Sequence, residues 1–221
     1  MAVNVNYFKL FVEFISNKAQ SGNTISPSQF NFVANQAQML VFEKDYQIFL
    51  QTESISEFLS LFLKNQTTTV PATGLLPYPS DLQHVASIRS YYVRPAGKST
   101  EITVDWVKNS SWGDVVSSQL MEPTKRFPMY SDFSTEIRFA PKNIGIIMLD
   151  YFKTPTAPVW GYTVASSRPV YSSAASTDFE FDLFAMNNVA AVYLSLIGIN
   201  LKDGELQQWS DAFTKQTNST L

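Results

Sequence analysis

Apolar residues recur every three or four positions at the start of the chain. Tyr7, Phe8, Leu10, Phe11, Phe14 and Ile15 lay an aromatic stripe along a helix that Ser21-Gly22 closes. Ser26-Pro27-Ser28-Gln29 then has the form of a capping box with proline in the first turn. It opens a second helix that carries Phe30, Val33, Ala37, Leu40 and Val41 and continues toward Leu50. A third helix is expected over 54–64, with Ile55, Phe58, Leu59 and Phe62 inward. Residues 1–66 thus read as a helical part that begins with a hairpin of helices.

Residues 67–79 break this rhythm with three prolines, a glycine and a run of threonines, and 67–84 reads as a linker. Beyond it the period shifts toward two. Strands are expected at 85–93, 101–107, 135–140 and 144–152, making a mostly antiparallel β-rich part over 85–153. Within it, 109–120 reads as a short helix or loop excursion and 122–128 as an extended bridge. Residues 154–177, with three prolines and many serines, read as a long irregular arm. The helical period returns over 182–201, with Leu183, Met186, Val189, Ala190, Tyr193, Leu194 and Ile197 inward and Gly198 as a cap. A last short helix is expected over 204–213. Residues 178–213 therefore read as C-terminal helices packing back on the core, and 214–221 as a flexible tail. The fold class is α+β.

Composition narrows the function. Charged residues make up 16% of the chain against about 25% in an average domain, so much of the surface is uncharged and cheap to desolvate in subunit contacts. A net charge of −3 offers no basic field for collecting nucleic-acid phosphates. The absence of cysteine removes disulfides, thiol nucleophiles and thiolate metal sites. No secretory leader pattern stands at the N-terminus, and the apolar run at 189–199 is too short to span a bilayer, so a soluble chain with no membrane partner is expected.

Candidate chemistry is sparse. The single histidine, His84, has no partners clustered around it in sequence, and the glycines form no phosphate-binding pattern. Asp178, Glu180 and Asp182 alternate as a metal or acid/base group would, but acids before a helix start are more simply read as caps, with Phe179 and Phe181 pinning that helix to the core. No catalytic, metal or cofactor residue is assigned, and the chain is read as a non-enzyme; a small hydrolase built from scattered serines and aspartates has no motif behind it. Two groups are candidate interface residues. Trp160, Tyr162 and Tyr171 are aromatics placed in a polar arm, and Lys125 and Arg126 could join Arg89, Arg94, Lys98 and Lys108 in a small basic patch.

Three segments carry a resemblance. Tyr7-Phe8-Lys9-Leu10-Phe11 with Ile25-Ser26-Pro27-Ser28-Gln29-Phe30-Asn31 resembles the N-terminal helical hairpin of virion structural proteins of crAss-like phages. Pro123-Thr124-Lys125-Arg126-Phe127-Pro128 and Leu149-Asp150-Tyr151-Phe152-Lys153-Thr154-Pro155 are similar to their central β portion, and Ser176-Thr177-Asp178-Phe179-Glu180-Phe181 to their C-terminal end. The resemblance implies a structural ring subunit of a head-to-tail connector or tail barrel, located at the portal vertex of the virion. Such a subunit forms a homo-oligomeric ring, contacts the portal and other connector or tail proteins, and lets genomic DNA pass. A capsid decoration or cargo protein, or a stand-alone β-rich binding module, are the alternatives.

Overall fold

The computed structural model describes residues 2–16, 25–93, 97, 99–201 and 208. It is α+β, with helices at the N-terminus, strands in the centre and a helix toward the C-terminus. The chain forms two compact units, and the second is an insertion in the first: unit 1 comprises Met1–Leu61 and Pro155–Leu221, unit 2 Phe62–Thr154.

Unit 1 contains α1 (Val5–Ile15), α2 (Pro27–Thr52), the single turn α3 (Glu57–Ser60) and α5 (Leu183–Leu201). The capping box that opens α2 is present: the Gln29 amide donates to Ser26 Oγ (3.3 Å) while the Ser26 amide donates to Gln29 Oε1 (3.2 Å). The core is aromatic. Phe8 packs against Phe179 (4.7 Å between centroids), Tyr193 (5.7 Å) and Phe30 (6.3 Å), all fully buried. Residues before α1 run alongside those before α5, with the Val3 amide donating to the Phe181 carbonyl and the Phe179 amide to that of Val3.

The helix faces depart from expectation in particular places. The stripe on α1 is split: Val5, Phe8 and Val12 are buried, whereas Tyr7, Leu10 and Phe14 lie on the opposite, exposed side. Leu40 and Leu183 are exposed, the latter beside the exposed Phe184, while Ala185 and Met186 in the same turn are buried. Gly198 lies within α5 rather than capping it. The helix expected over 54–64 is only the four-residue α3. After Ser60 the chain leaves the helix and becomes a strand, because residues 63–69 pair with β8 along their whole length at one edge of a sheet. The short helix expected over 204–213 and the tail 214–221 lie outside the described residues, apart from position 208.

Unit 2 has two four-stranded sheets. The first has the order β1 (Leu63–Thr69), β8 (Ile146–Lys153), β3 (Leu82–Val93), β4 (Ser99–Thr103), all antiparallel. The second has the order β2 (Leu75–Pro77), β7 (Glu136–Ala140), β6 (Met129–Asp132), β5 (Asp105–Trp106), antiparallel except for the parallel β5–β6 pair. A single cluster draws on both sheets: Ile88, Ile147, Leu149 and Tyr151 come from the first, and Leu76, Ile137 and Phe139 from the second. The 67–84 linker is therefore a misreading, since those residues hold the end of β1, all of β2 and the start of β3. β1 is almost wholly exposed and lacks an apolar alternation, and β2 carries Pro77 at a sheet edge, where the missing donor is tolerated.

The insertion has its two ends side by side. Leu63 pairs with Phe152, and the Lys153 amide donates to the Phe62 carbonyl, so the incoming and outgoing strands are neighbours in one sheet. An inserted unit that brings its termini together this way leaves the host chain almost uninterrupted.

Between β5 and β6 lies the expected excursion, a 3-10 turn followed by α4 (Trp112–Ser117). The arm at 154–177, by contrast, is ordered. It contains the antiparallel pair β9 (Tyr162–Ala165) and β10 (Arg168–Tyr171), followed by a 3-10 turn.

Candidate interaction surface

In the β9–β10 ribbon, residues 162–170 are exposed on both faces. Cross-strand register places Tyr162 beside Tyr171 and Val164 beside Pro169 on one face, and Val170 beside Thr163 on the other. Val164 is 70% exposed and Val170 48%. Ser166 and Ser167 form the two-residue turn with positive φ (51° and 60°), the twist that a tight hairpin requires.

A two-stranded ribbon on its own is marginal in water, and this one is held at its base. The Val159 and Thr177 backbones exchange hydrogen bonds (2.9 and 2.8 Å), and the Ser172 amide donates to the Gly161 carbonyl (2.9 Å). Ser176 Oγ accepts from the Gly161 amide (2.9 Å) and donates to the Ser172 carbonyl (2.7 Å). Gly161 has to be glycine, because a β-carbon there would lie 2.2 Å from the Ala175 carbonyl oxygen.

The three arm aromatics are brought together at this base, but Trp160 is a buried anchor rather than an exposed one. It is 6% exposed; its backbone amide donates to Asn31 Oδ1 (2.7 Å), and its indole N–H to Asn6 Oδ1 (3.0 Å). Tyr162 stacks on it at 5.9 Å, Tyr171 leans against it at the same distance, and Lys9 Nζ sits 4.7 Å from the ring centre. An indole needs a partner for its N–H when buried, and the Asn6 and Asn31 side chains supply polar partners from α1 and α2 that the sequence pattern alone does not reveal. Tyr162 remains 47% exposed and continues the apolar face outward along the ribbon to Val164.

Lys125 and Arg126 form the tip of a tight turn in unit 2, where the Thr124 and Phe127 backbones bond to each other (3.2 and 3.1 Å). This turn replaces the extended bridge expected over 122–128. Both basic residues are exposed, and the Arg126 guanidinium lies over the Phe127 ring. They do not extend into the larger basic patch through Arg89, which is bound to Asp150 (2.9 Å) and Glu101 (3.2 Å). Arg94 and Lys98 lie outside the described residues.

Nearby on the same unit is a cleft of about 510 Å³ between the outer face of the second sheet and α4. Leu75, Trp112, Val116 and Ala140 give it apolar walls, and Glu122 and Glu136 put carboxylates on it. Arg138 lies over Phe133 (4.1 Å) and Trp112 (5.7 Å). The segment beside it exposes Val116 (41%), Leu120 (98%), Met121 (58%) and Phe127 (60%).

No family model matches the chain, and no curated protein matches it in sequence.

The carboxylates that alternate at 178–182 serve three separate backbones. Asp178 accepts from the Val5 amide (2.9 Å) at the start of α1, Glu180 from the Thr156 amide (3.0 Å), and Asp182 from the Phe184 and Ala185 amides (3.1 and 3.3 Å) at the start of α5. Among the described residues, no group of three or more His, Cys, Asp or Glu side chains is placed to hold a metal ion. On the outer face of the first sheet, burial pushes the Asp150 carboxyl up, but hydrogen bonds from Ser87, Asn65 and Arg89 outweigh it and hold the group below the usual carboxylate range. A carboxylate so stabilised is a weak base, which makes the Ser87–Asp150 pair a link between β3 and β8.

Proposed function

We propose that this chain is a structural ring subunit of a tailed-phage head-to-tail connector or tail barrel, extending the DNA channel from the portal and linking it to the tail. The observation that carries the reading is the ribbon of residues 162–171, apolar, exposed on both faces and clamped to a rigid base by Trp160. An element of that kind stabilises a subunit little by itself, yet it is well suited to reach a neighbour through a contact that closes by rotation. The resemblance of the segments at 7–31, 123–155 and 176–181 to crAss-like phage virion proteins supports the same reading. The low charged content supports it too, because a polar uncharged surface is readily buried between subunits.

The test is labelling of intact particles of the encoding phage with an antibody against the chain. Label at a single vertex is the expected result. Label spread over the capsid indicates a decoration protein, and absence of label overturns the virion assignment.

A further inference from the structure

We propose that the chain's own C-terminal segment, residues 202–213, docks in a cavity at the N-terminal end of α2 and braces the base of the β9–β10 ribbon. The inference is independent of the ring reading, since both partners belong to one chain and to unit 1. The cavity has a volume of about 720 Å³, the size of a site that buries several side chains. Ile25, Pro27, Trp160 and Pro169 supply its apolar lining. Its charged groups are Lys9, Glu13 and Arg168. Lys9 and Glu13 form an ion pair with each other, and among the described residues Arg168 has no ion-pair partner, so the wall keeps one uncompensated positive charge. Arg168 and Pro169 belong to β10, so whatever fills the cavity also supports the ribbon.

The course of α5 delivers the segment to this place. The Thr156 amide donates to the Glu180 carboxylate (3.0 Å) and the Thr156 carbonyl accepts from the Gln38 side chain (3.0 Å), so residue 180 is level with Gln38. Farther along, Tyr193 packs against Phe30 (5.6 Å between centroids). α5 therefore runs antiparallel to α2, toward Ser26, and at 1.5 Å per residue Leu201 stands about 12 Å beyond Tyr193. The segment that continues from there matches the cavity in two ways. Leu206, Trp209 and Phe213 recur at helical spacing and make one apolar face, and Gln208, on the opposite side of such a helix, is helical and exposed. Residues 203–213 also carry Asp203, Glu205 and Asp211 with no lysine or arginine, a charge opposite to that of Arg168. Residues 17–24, which lead into Ile25, have no apolar side chain larger than alanine and offer nothing to fill the apolar lining.

Because the chain has no cysteine, two introduced thiols report the contact in the full-length protein. Ser28→Cys with Gln208→Cys puts one thiol on the exposed first turn of α2 and one on the exposed side of the segment, and a short bismaleimide links them in dilute solution. Thr52→Cys with Gln208→Cys is the comparison, because Thr52 ends α2 about 36 Å from Ser28. The expected product is a linked single chain, formed about tenfold faster for the 28–208 pair than for the 52–208 pair. Trp209→Ala lowers the 28–208 rate about tenfold, the effect of losing an aromatic anchor, and Arg168→Glu lowers it as well. Equal rates for the two pairs, or a 28–208 rate indifferent to W209A, overturn the proposal. So does a product that is chiefly a dimer, which assigns the segment to a second copy.

Discussion

Trp160 combines several interactions in one side chain: an indole N–H bonded to Asn6, two tyrosines against its ring, and the Lys9 ammonium over its face. Trp160→Ala is expected to cost about 3–5 kcal/mol, the usual loss for a buried large aromatic, measured by urea unfolding. Asp150 gives a pH signature. Its folded pKa is depressed below the unfolded value, so the native carboxylate binds fewer protons than the unfolded one as pH falls toward and below about 4. The stabilisation is full above the unfolded pKa and is lost as pH drops through the folded one. Thermal melts from pH 7 to pH 3 are expected to show a fall that Asp150→Asn makes shallower, with the variant already less stable at pH 7. Tyr193 is buried with a hydroxyl that no described residue pairs, and burial pushes its pKa far up. Tyr193→Phe is therefore expected to raise stability by about 1 kcal/mol, read from the shift in the urea midpoint. At this scale the importance of Trp160 was legible in the sequence but its place was not. An aromatic amid prolines and serines looks solvent-facing until Asn6 and Asn31, far away in sequence, arrive to pair its polar atoms.

Elements with strong local signals came through. The capping box of α2 and the strand runs that became β3, β7 and β8 are set by neighbours in sequence and appear nearly as expected. β1, β9 and β10 were illegible for a shared reason: each is largely exposed, so no alternation of apolar and polar positions marks it, and Pro169 within β10 argues against a strand. Their partners, not their side chains, make them strands. The ribbon has two sensitive positions. Gly161→Ala places a methyl against the Ala175 carbonyl and is expected to cost about 1–3 kcal/mol. Ser167→Gly relieves a left-handed serine and is expected to add about 1 kcal/mol. Hydrogen exchange of the amides at 162–171 distinguishes these outcomes, with protection lost in the first variant and gained in the second.

The whole molecule shows why a linear reading of domains failed. Sequence punctuation at 67–79 suggested one boundary, but the division is made at two places, after Leu61 and after Thr154, where the paired β1 and β8 strands leave and rejoin the helical unit. Of the three prolines there, Pro77 lies in the edge strand β2, and Pro71 and Pro79 lie in the turns that flank it. A peptide of residues 62–154 has its own core and adjacent ends, so it is expected to fold alone, with a cooperative thermal transition and dispersed amide resonances. Removing all of 156–173 takes Trp160 out of unit 1, whereas a change confined to Val164 leaves that core intact and touches only the proposed contact. The central claim, that the chain builds a ring on the portal axis, is tested most directly by quantitative mass spectrometry of purified particles, comparing copies of this chain with copies of the portal protein. The account predicts a fixed whole-number ratio to the portal; a copy number that scales with the capsid protein, or absence from particles, contradicts it.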